Sequence, residues 1–224
     1  MATHLDLEEQ EQIDQLKHFW KQYGNLITWV LIAILGAYGG WMLWNSWERD
    51  KAARAGALYD EVDKAAQAGD ADRAAALFAS LKDGYGRTAF AQQGALQLAK
   101  AQFEKGQLDN AKATLAWVAE NGIESEYQTI ARLRLAAVLL DQKKYDEALK
   151  QLDAATAKEF EALVADRRGD VLLAQGKKDE AKAAYQKAWS TMEAKVEYRR
   201  LVEAKLTALG AAPESDKAKA GAAK

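Results

Sequence analysis

Residues 106–111 read GQLDNA, and three similar hexapeptides stand at 69–74 (GDADRA), 143–148 (KKYDEA) and 176–181 (GKKDEA). Successive hexapeptides begin 37, 37 and 33 residues apart. Recurrence at such a spacing is typical of a solenoid, in which each unit buries its apolar face against its neighbours. We therefore expect a stack of similar helical pairs, each made of a helix A before the hexapeptide and a helix B that begins within it.

Each position of the hexapeptide has a physical role. The glycine ends helix A, because glycine adopts the left-handed backbone conformation without steric cost. The aspartate begins helix B, where we expect its carboxylate to accept hydrogen bonds from free backbone N–H groups and to meet the positive end of the helix dipole. The alanine is expected where helices A and B cross closely.

Residues that flank the hexapeptide agree with this pattern. The position twelve residues before each alanine is mostly small, and the position four residues after it is bulky. The small positions are Val62, Ala99, Ala136 and Gly169, and the bulky ones are Phe78, Leu115, Leu152 and Tyr185. Together with a period near 34 residues, this predicts a tetratricopeptide-like helical repeat solenoid. The first repeat is degraded, since Val62 is not small.

The composition predicts an all-α protein. Good helix formers dominate, and the single proline is Pro213. We expect the repeat domain to occupy residues 48–209. It would end in a capping helix from Thr191 to Leu209, with Met192, Val196, Val202 and Leu206 on one face. The remaining residues, 210–224, are rich in Ala and Lys, and we expect them to be disordered.

An uncharged stretch runs from Gln22 to Trp47. It is long enough for a transmembrane helix, which needs about 20 apolar residues, and tryptophans flank it at both ends. We therefore predict a single span at 23–47 after a short tail at 1–22. A buried core helix is a poor alternative, since no other segment is apolar enough to surround it. A cleaved signal peptide is another, but the run is too long and an acidic tail precedes it.

The orientation of the span is not determined by the flanking charges. Two basic residues precede the span, Lys17 and Lys21, and three follow it, Arg49, Lys51 and Arg54. Lys and Arg favour the cytoplasmic side, so the count is nearly neutral and leans slightly toward a cytoplasmic repeat domain.

Small residues recur one helical turn apart within the span. Gly36 and Gly40 form a GxxxG pattern, and Ala33 and Ala37 lie alongside it. Such a stripe allows a second membrane helix to approach closely. The alternative is that glycine is simply common in membrane helices.

The residue inventory excludes most catalytic and metal chemistry. There is no cysteine, and the two histidines, His4 and His18, precede the span. We predict no catalytic residue, no metal site and no cofactor. A net charge of −2, from 31 basic and 33 acidic residues, predicts no nucleic-acid partner. The neighbouring Asp166 and Asp170 resemble an acid/base pair, but charge pairing with Arg167 and Arg168 on an exposed helix face is the simpler interpretation.

The A helices of such a stack line its concave side, which is the candidate partner-binding surface. The repeat pattern places seven apolar residues there: Leu96, Phe103, Ile130, Leu133, Leu140, Leu163 and Leu173. Two arrangements remain open. The row is either an open groove that binds a peptide, or a surface that the capping helix or the first helix covers.

Four short motifs resemble the YfgM family of ancillary SecYEG translocon subunits: WNS at 44–46, YG at 85–86, LRLA at 133–136 and VADRRG at 164–169. The resemblance covers nearly the whole chain. It implies an inner-membrane protein with a cytoplasmic N-terminus and a periplasmic repeat domain. The implied partners are the SecYEG channel, a PpiD-type membrane-anchored periplasmic chaperone and unfolded client proteins. The runner-up function is a cytoplasm-facing tetratricopeptide adaptor that assembles a membrane complex; a membrane-bound hydrolase is disfavoured by the residue inventory.

Overall fold

The structure, a computed structural model, describes residues 7–193 and 195–213. Within these residues there are nine α-helices, one short 3-10 helix and no strand. The prediction of an all-α protein is therefore confirmed. The chain divides into two compact units, one that ends at Ala53 and one that begins at Arg54.

Helix α1 runs from Leu7 to Gln67, and its part up to Ala53 belongs to the first unit. It contains an 18-residue stretch with a mean hydropathy of 1.9, none of which is buried by other parts of the protein. By length and composition, α1 can therefore cross a membrane. Large apolar side chains such as Leu35 and Leu43 are 67% and 74% exposed, so they contact no protein core.

The described part of the second unit contains four helix pairs, which confirms the predicted repeat fold. The pairs are the end of α1 with α2 (Ala71–Tyr85), α3 (Ala89–Glu104) with α4 (Leu108–Asn121), α5 (Ser125–Asp141) with α6 (Tyr145–Asp153), and α7 (Glu161–Ala174) with α8 (Lys178–Thr191). A 3-10 helix, Lys158–Phe160, precedes α7, and α9 (Tyr198–Ala208) follows α8.

The turns between helices A and B follow the glycine prediction. Gly69, Gly106 and Gly176 have φ angles of 71°, 74° and 79°, in the left-handed region that glycine tolerates. In the third repeat Lys143 takes the same conformation with a φ of 59°, although it carries a side chain. The hexapeptide therefore specifies the turn at all four positions, at some conformational cost in the third.

The expected role of the hexapeptide aspartates is wrong in its detail. Asp72 and Asp146 accept hydrogen bonds of 3.1 Å from the side chains of Gln107 and Gln175, which lie one repeat further on. The cap of α2 is instead Asp70, whose carboxylate accepts from a backbone N–H three residues later at 3.1 Å. The fourth residue of each hexapeptide lies inside the first turn of helix B, so the expected position near the positive end of the helix dipole holds. The carboxylates of Asp72 and Asp146 connect repeats instead of capping the backbone, whereas Asp109 pairs with Lys112 of its own helix at 2.9 Å.

The four hexapeptide alanines are fully buried at 0% exposure, which confirms the predicted close crossings: Ala74, Ala111, Ala148 and Ala181. In the last pair, α7 and α8 approach closely at Gly169, which faces the ring of Tyr185 on α8. A Cβ atom at Gly169 would lie 2.4 Å from a ring carbon, closer than two carbon atoms can stand. Glycine is therefore required at this crossing.

Helix α9 caps the end of the stack, as predicted, but it is shorter than the sequence suggested. Val202 and Leu206 are fully buried against the last repeat, in one cluster with Met192, which is 9% exposed. Helix α8 continues to Thr191, so α9 begins only at Tyr198, and Val196 between them is 42% exposed. Most of the predicted disordered tail, 214–224, lies outside the described residues.

Candidate partner-binding surface

The seven apolar residues predicted on the A helices have different surroundings. Five pack against neighbouring helices, namely Leu96, Ile130, Leu133, Leu140 and Leu163. Leu96 is buried at 7% exposure, whereas Phe103 and Leu173 are 42% and 38% exposed. The first four of the packed residues contact one hydrophobic core and Leu163 contacts another. The seven residues therefore do not form one continuous exposed apolar surface.

Polar side chains connect neighbouring A helices, and the sequence interpretation missed them. Gln97 of α3 donates to the Asp63 carboxylate of α1 at 2.7 Å, and Gln93 of α3 donates to the Tyr127 hydroxyl of α5 at 2.6 Å. Both pairs are separated by 34 residues, one repeat period. Polar residues at this separation are the signal that would have identified them. The A-helix face is thus mixed in character.

An open cavity of about 340 Å³ lies between the A helices α3 and α5. We call it the Phe103 slot, and its lining residues are Ala99, Lys100, Phe103, Leu115, Arg134, Ala137 and Val138. Of the seven predicted residues, Phe103 lines the slot. Three apolar lining residues are nearly inaccessible, with Ala99 and Leu115 at 2% and Val138 at 4% exposure. The slot therefore has an apolar floor and a rim that carries two cations.

Asp166 and Asp170 do not lie on an exposed face, which corrects that part of the prediction, although Asp170 pairs with Arg167 at 3.3 Å as expected. Asp166 is 1% exposed, and both its carboxylate oxygens accept hydrogen bonds from the Lys205 ammonium of α9, at 2.8 and 2.9 Å. The same ammonium donates to Asp170 at 2.7 Å. Tyr198 donates to Asp166 and Tyr185 to Asp170, each at 2.8 Å. We call these five residues the capping cluster.

The capping cluster has a structural role. The Asp166 carboxylate is buried and occupied by donors of α9, and the Asp170 carboxylate, 20% exposed, is occupied by Lys205, Tyr185 and Arg167. Neither carboxylate is therefore free to act on a substrate. Within residues 7–193 and 195–213, no three His, Cys, Asp or Glu side chains are placed to hold a metal ion. The cluster instead connects α9 to α7, which lies 30 to 40 residues earlier in the chain.

The capping cluster should make the repeat domain less stable in alkali. Burial, together with hydrogen bonds to Asp170 and Asp166, raises the pKa of Tyr185 and Tyr198 above the ordinary value of 10.0. Above about pH 10 the unfolded chain therefore loses phenol protons that the folded chain keeps. The stabilisation is complete below that pH and is lost as the pH rises further. Urea unfolding at successive pH values should show this decline.

Tyr198→Phe provides the comparison, because it removes one of the two phenols. The variant should be less stable at neutral pH, since a hydrogen bond to a charged group contributes about 1.5–3 kcal/mol. Above pH 10 its free energy of unfolding should then fall less steeply with pH than that of the wild type. The difference in slope should correspond to at most one proton, because the variant has one phenol fewer to release on unfolding. Equal slopes for the two proteins would contradict the assignment of the alkaline transition to this cluster.

The small residues of the span are accessible in the first unit. Ala33, Gly36, Ala37 and Gly40 are exposed, and a Cβ atom at either glycine would meet no atom within 4 Å. This stripe of small residues is accessible to a second membrane helix. Packing of another helix against it stays a prediction.

Comparison with known proteins identifies relatives along nearly the whole chain. A family model described as a tetratricopeptide repeat-like domain matches residues 17–211. An ancillary SecYEG translocon subunit of Neisseria gonorrhoeae is 35% identical over 93% of this chain and 100% of its own length. Proteins of the same name are 33% identical in Escherichia coli, over 80% of this chain and 85% of that protein, and 30% identical in Haemophilus influenzae, over 81% and 89%.

A solved structure of a MamA double mutant shares the fold, with a TM-score of 0.54 at 18% identity over 75% of this chain and 88% of that one. Its identity is low, so it bears on architecture alone. The sequence relatives are more similar, and the Neisseria match, over 93% of this chain, includes residues of the N-terminal helix as well as the repeats. The chain therefore belongs to the family of ancillary SecYEG translocon subunits and carries a tetratricopeptide repeat-like domain.

Proposed function

We propose that this chain is an ancillary subunit of the SecYEG translocon, anchored in the inner membrane by α1, with its repeat domain in the periplasm. The observation that supports the proposal is the 35% identity to a translocon subunit over 93% of this chain and all of the relative. A match of that extent covers the anchor and the repeat domain together. The function therefore uses both parts.

The repeat domain acts by binding and not by catalysis. It docks a PpiD-type membrane-anchored chaperone and assists unfolded clients that emerge from the channel. The support is physical: Phe103 and Leu173 present exposed apolar surface on A helices, and the Phe103 slot is open. The carboxylate pair that most resembled a catalytic site is enclosed in the capping cluster. Tethering by α1 keeps the domain close to the channel, where its effective concentration is high.

Photocrosslinking in the native membrane tests the association. A photoreactive amino acid at Leu43, which is 74% exposed in α1, should give adducts with SecYEG subunits. The same group at Phe103 should give adducts with the chaperone or with clients. Lys150, exposed on α6, is the control position and should give few adducts. Absence of any translocon adduct from Leu43 and from other span positions would contradict the proposal.

Reporter fusions test the orientation. Alkaline phosphatase fused behind the repeat domain should be active, since it folds only after export, and green fluorescent protein at the same place should be dark. The control is phosphatase fused directly after residue 22, so that the span is absent, and it should be inactive. The slight excess of basic residues after the span favours the opposite orientation. A bright fluorescent fusion with inactive phosphatase would place the domain in the cytoplasm and favour the adaptor function.

A further inference from the structure

We propose that the Phe103 slot binds an extended segment of a partner protein in which a bulky apolar side chain stands beside carboxylate groups. The inference rests on the proposed function, in which the repeat domain docks other proteins. It adds the chemistry that the slot selects. The apolar side chain would enter between α3 and α5, and the carboxylates would contact the two cations of the rim.

The size and lining of the slot suit one or two side chains. Its volume of about 340 Å³ is at the lower end of the range for pockets that hold small ligands, which is about 300–1,000 Å³. Leu115 and Val138 form an apolar floor, and the Phe103 ring stands on the rim at 42% exposure. An apolar group that enters the cavity removes both the exposed phenylalanine ring and the cavity lining from water, which favours binding.

The rim supplies charge of one sign. Lys100 of α3 and Arg134 of α5 both line the slot. Arg134 donates from Nη1 to the backbone oxygen of Leu96 at 3.0 Å, which uses one of its five N–H donors. Among the described residues, no carboxylate pairs with it. A planar guanidinium with free donors is suited to bind a carboxylate in a bidentate manner.

The Lys100 ammonium is also available to a partner. It stands 3.9 Å from the Glu104 carboxylate, and both side chains are more than half exposed, at 65% and 60%. A pair at that distance and exposure contributes little, so a carboxylate held in the slot can replace it. The slot therefore favours acidic apolar segments over neutral or basic ones, which is a narrower preference than a bare hydrophobic patch would show.

The direct test uses the full chain in nanodiscs of neutral lipid and a fluorescent Gly/Ser peptide that carries one leucine flanked by aspartates. Fluorescence anisotropy should show saturable binding that weakens with salt. Replacing the leucine by serine, or the aspartates by lysines, should raise Kd by about tenfold or more. Peptides with asparagine in place of aspartate should have a Kd between those of the aspartate and lysine peptides. Equal binding of the aspartate and lysine peptides would overturn the proposal.

Variants of the slot locate the binding. Ala137→Phe should fill the cavity and Lys100→Glu should reverse half of the rim charge, and each should raise Kd by about tenfold or more. Ala183→Phe on α8 and Lys150→Glu on α6 are matched changes at exposed positions, and they should leave Kd unchanged. Thermal unfolding of all four variants verifies folding. Unaltered binding to folded Ala137→Phe and Lys100→Glu would overturn the proposal.

Two further outcomes separate this inference from the proposed function. If the peptide does not bind and the chain forms dimers that Ala137→Phe abolishes, the occupant is a second copy and the inference is wrong. If the peptide does not bind but the wild-type chain still gives SecYEG adducts from Leu43, the proposed function stands and the inference alone fails. Peptide binding without any translocon adduct would keep the slot chemistry and reject the translocon role.

Discussion

Lys205→Met is expected to lower the free energy of unfolding of the repeat domain by about 3–5 kcal/mol, the usual cost of removing one partner from a buried ion pair. The Lys205 ammonium reaches both oxygens of Asp166, whose side chain is 2% exposed, and one oxygen of Asp170. Without it, Asp166 keeps only the hydroxyl of Tyr198 among the capping-cluster donors. A buried carboxylate without its cation is costly, because burial has removed most of its hydration.

Lys187→Met is the matched control. Lys187 makes an ion pair with Glu161 at 2.8 Å, a distance close to those of Lys205, but the two side chains are 59% and 47% exposed. Such a surface pair contributes little to stability, because solvent screens it. Urea unfolding of the full chain in detergent, followed by near-ultraviolet circular dichroism, measures both variants. Equal losses at the two lysines would mean that the cluster does not hold α9 in place.

A second substitution distinguishes an unpaired charge from lost packing. Asp166→Asn combined with Lys205→Met removes the buried charge together with its partner. Replacing both members of a buried pair is often close to neutral, so the double variant should recover much of the stability that Lys205→Met loses. A double variant as unstable as Lys205→Met would show that the methylene chain of Lys205, and not its charge, stabilises α9.

The repeat pattern could be predicted from the sequence because its determinants are local. A glycine turn and a small residue facing a bulky one are set by residues within one helical pair. Gly69, Gly106 and Gly176 adopt the left-handed conformation for this reason, and Ala148 and Ala181 are buried as predicted. Each of these features recurs once per period, so the repetition itself indicated them.

Features that depend on contacts between distant residues could not be predicted in the same way. Asp166 and Lys205 are 39 residues apart, longer than a repeat, and their approach depends on how α9 docks. On α7 alone, two aspartates that flank two arginines indicated an exposed face. Similarly, Leu96 and Phe103 both lie on α3, yet one is 7% and the other 42% exposed. Packing of α3 against α4 and α5 determines which side chains are buried, and the residue pattern of one helix contains no information on that packing.

Gly169→Ala should destabilise the repeat domain, although alanine is the better helix former. The new methyl group would lie 2.4, 2.5 and 2.8 Å from three ring carbons of Tyr185. The ring is 1% exposed and its hydroxyl donates to Asp170, so it has no free space to move into without losing that bond or separating α7 from α8. Overpacking of this kind costs about 1–3 kcal/mol and occasionally more. It exceeds the gain in helix propensity, which is about 1 kcal/mol.

Gly84→Ala is the same substitution in a helix where nothing stands within 4 Å of the new methyl group, and it is expected to have the opposite sign. Gly84 is exposed within α2, so alanine there should stabilise the domain by about 0.5–1 kcal/mol, through helix propensity and a less flexible unfolded chain. Thermal unfolding should therefore show Gly169→Ala below the wild type and Gly84→Ala above it. If both variants were stabilised, α7 and α8 would have to cross at a greater distance than the structure gives. If Gly169→Ala alone were destabilised, and combining it with Tyr185→Leu restored part of the loss, the contact between the methyl group and the ring would be the cause.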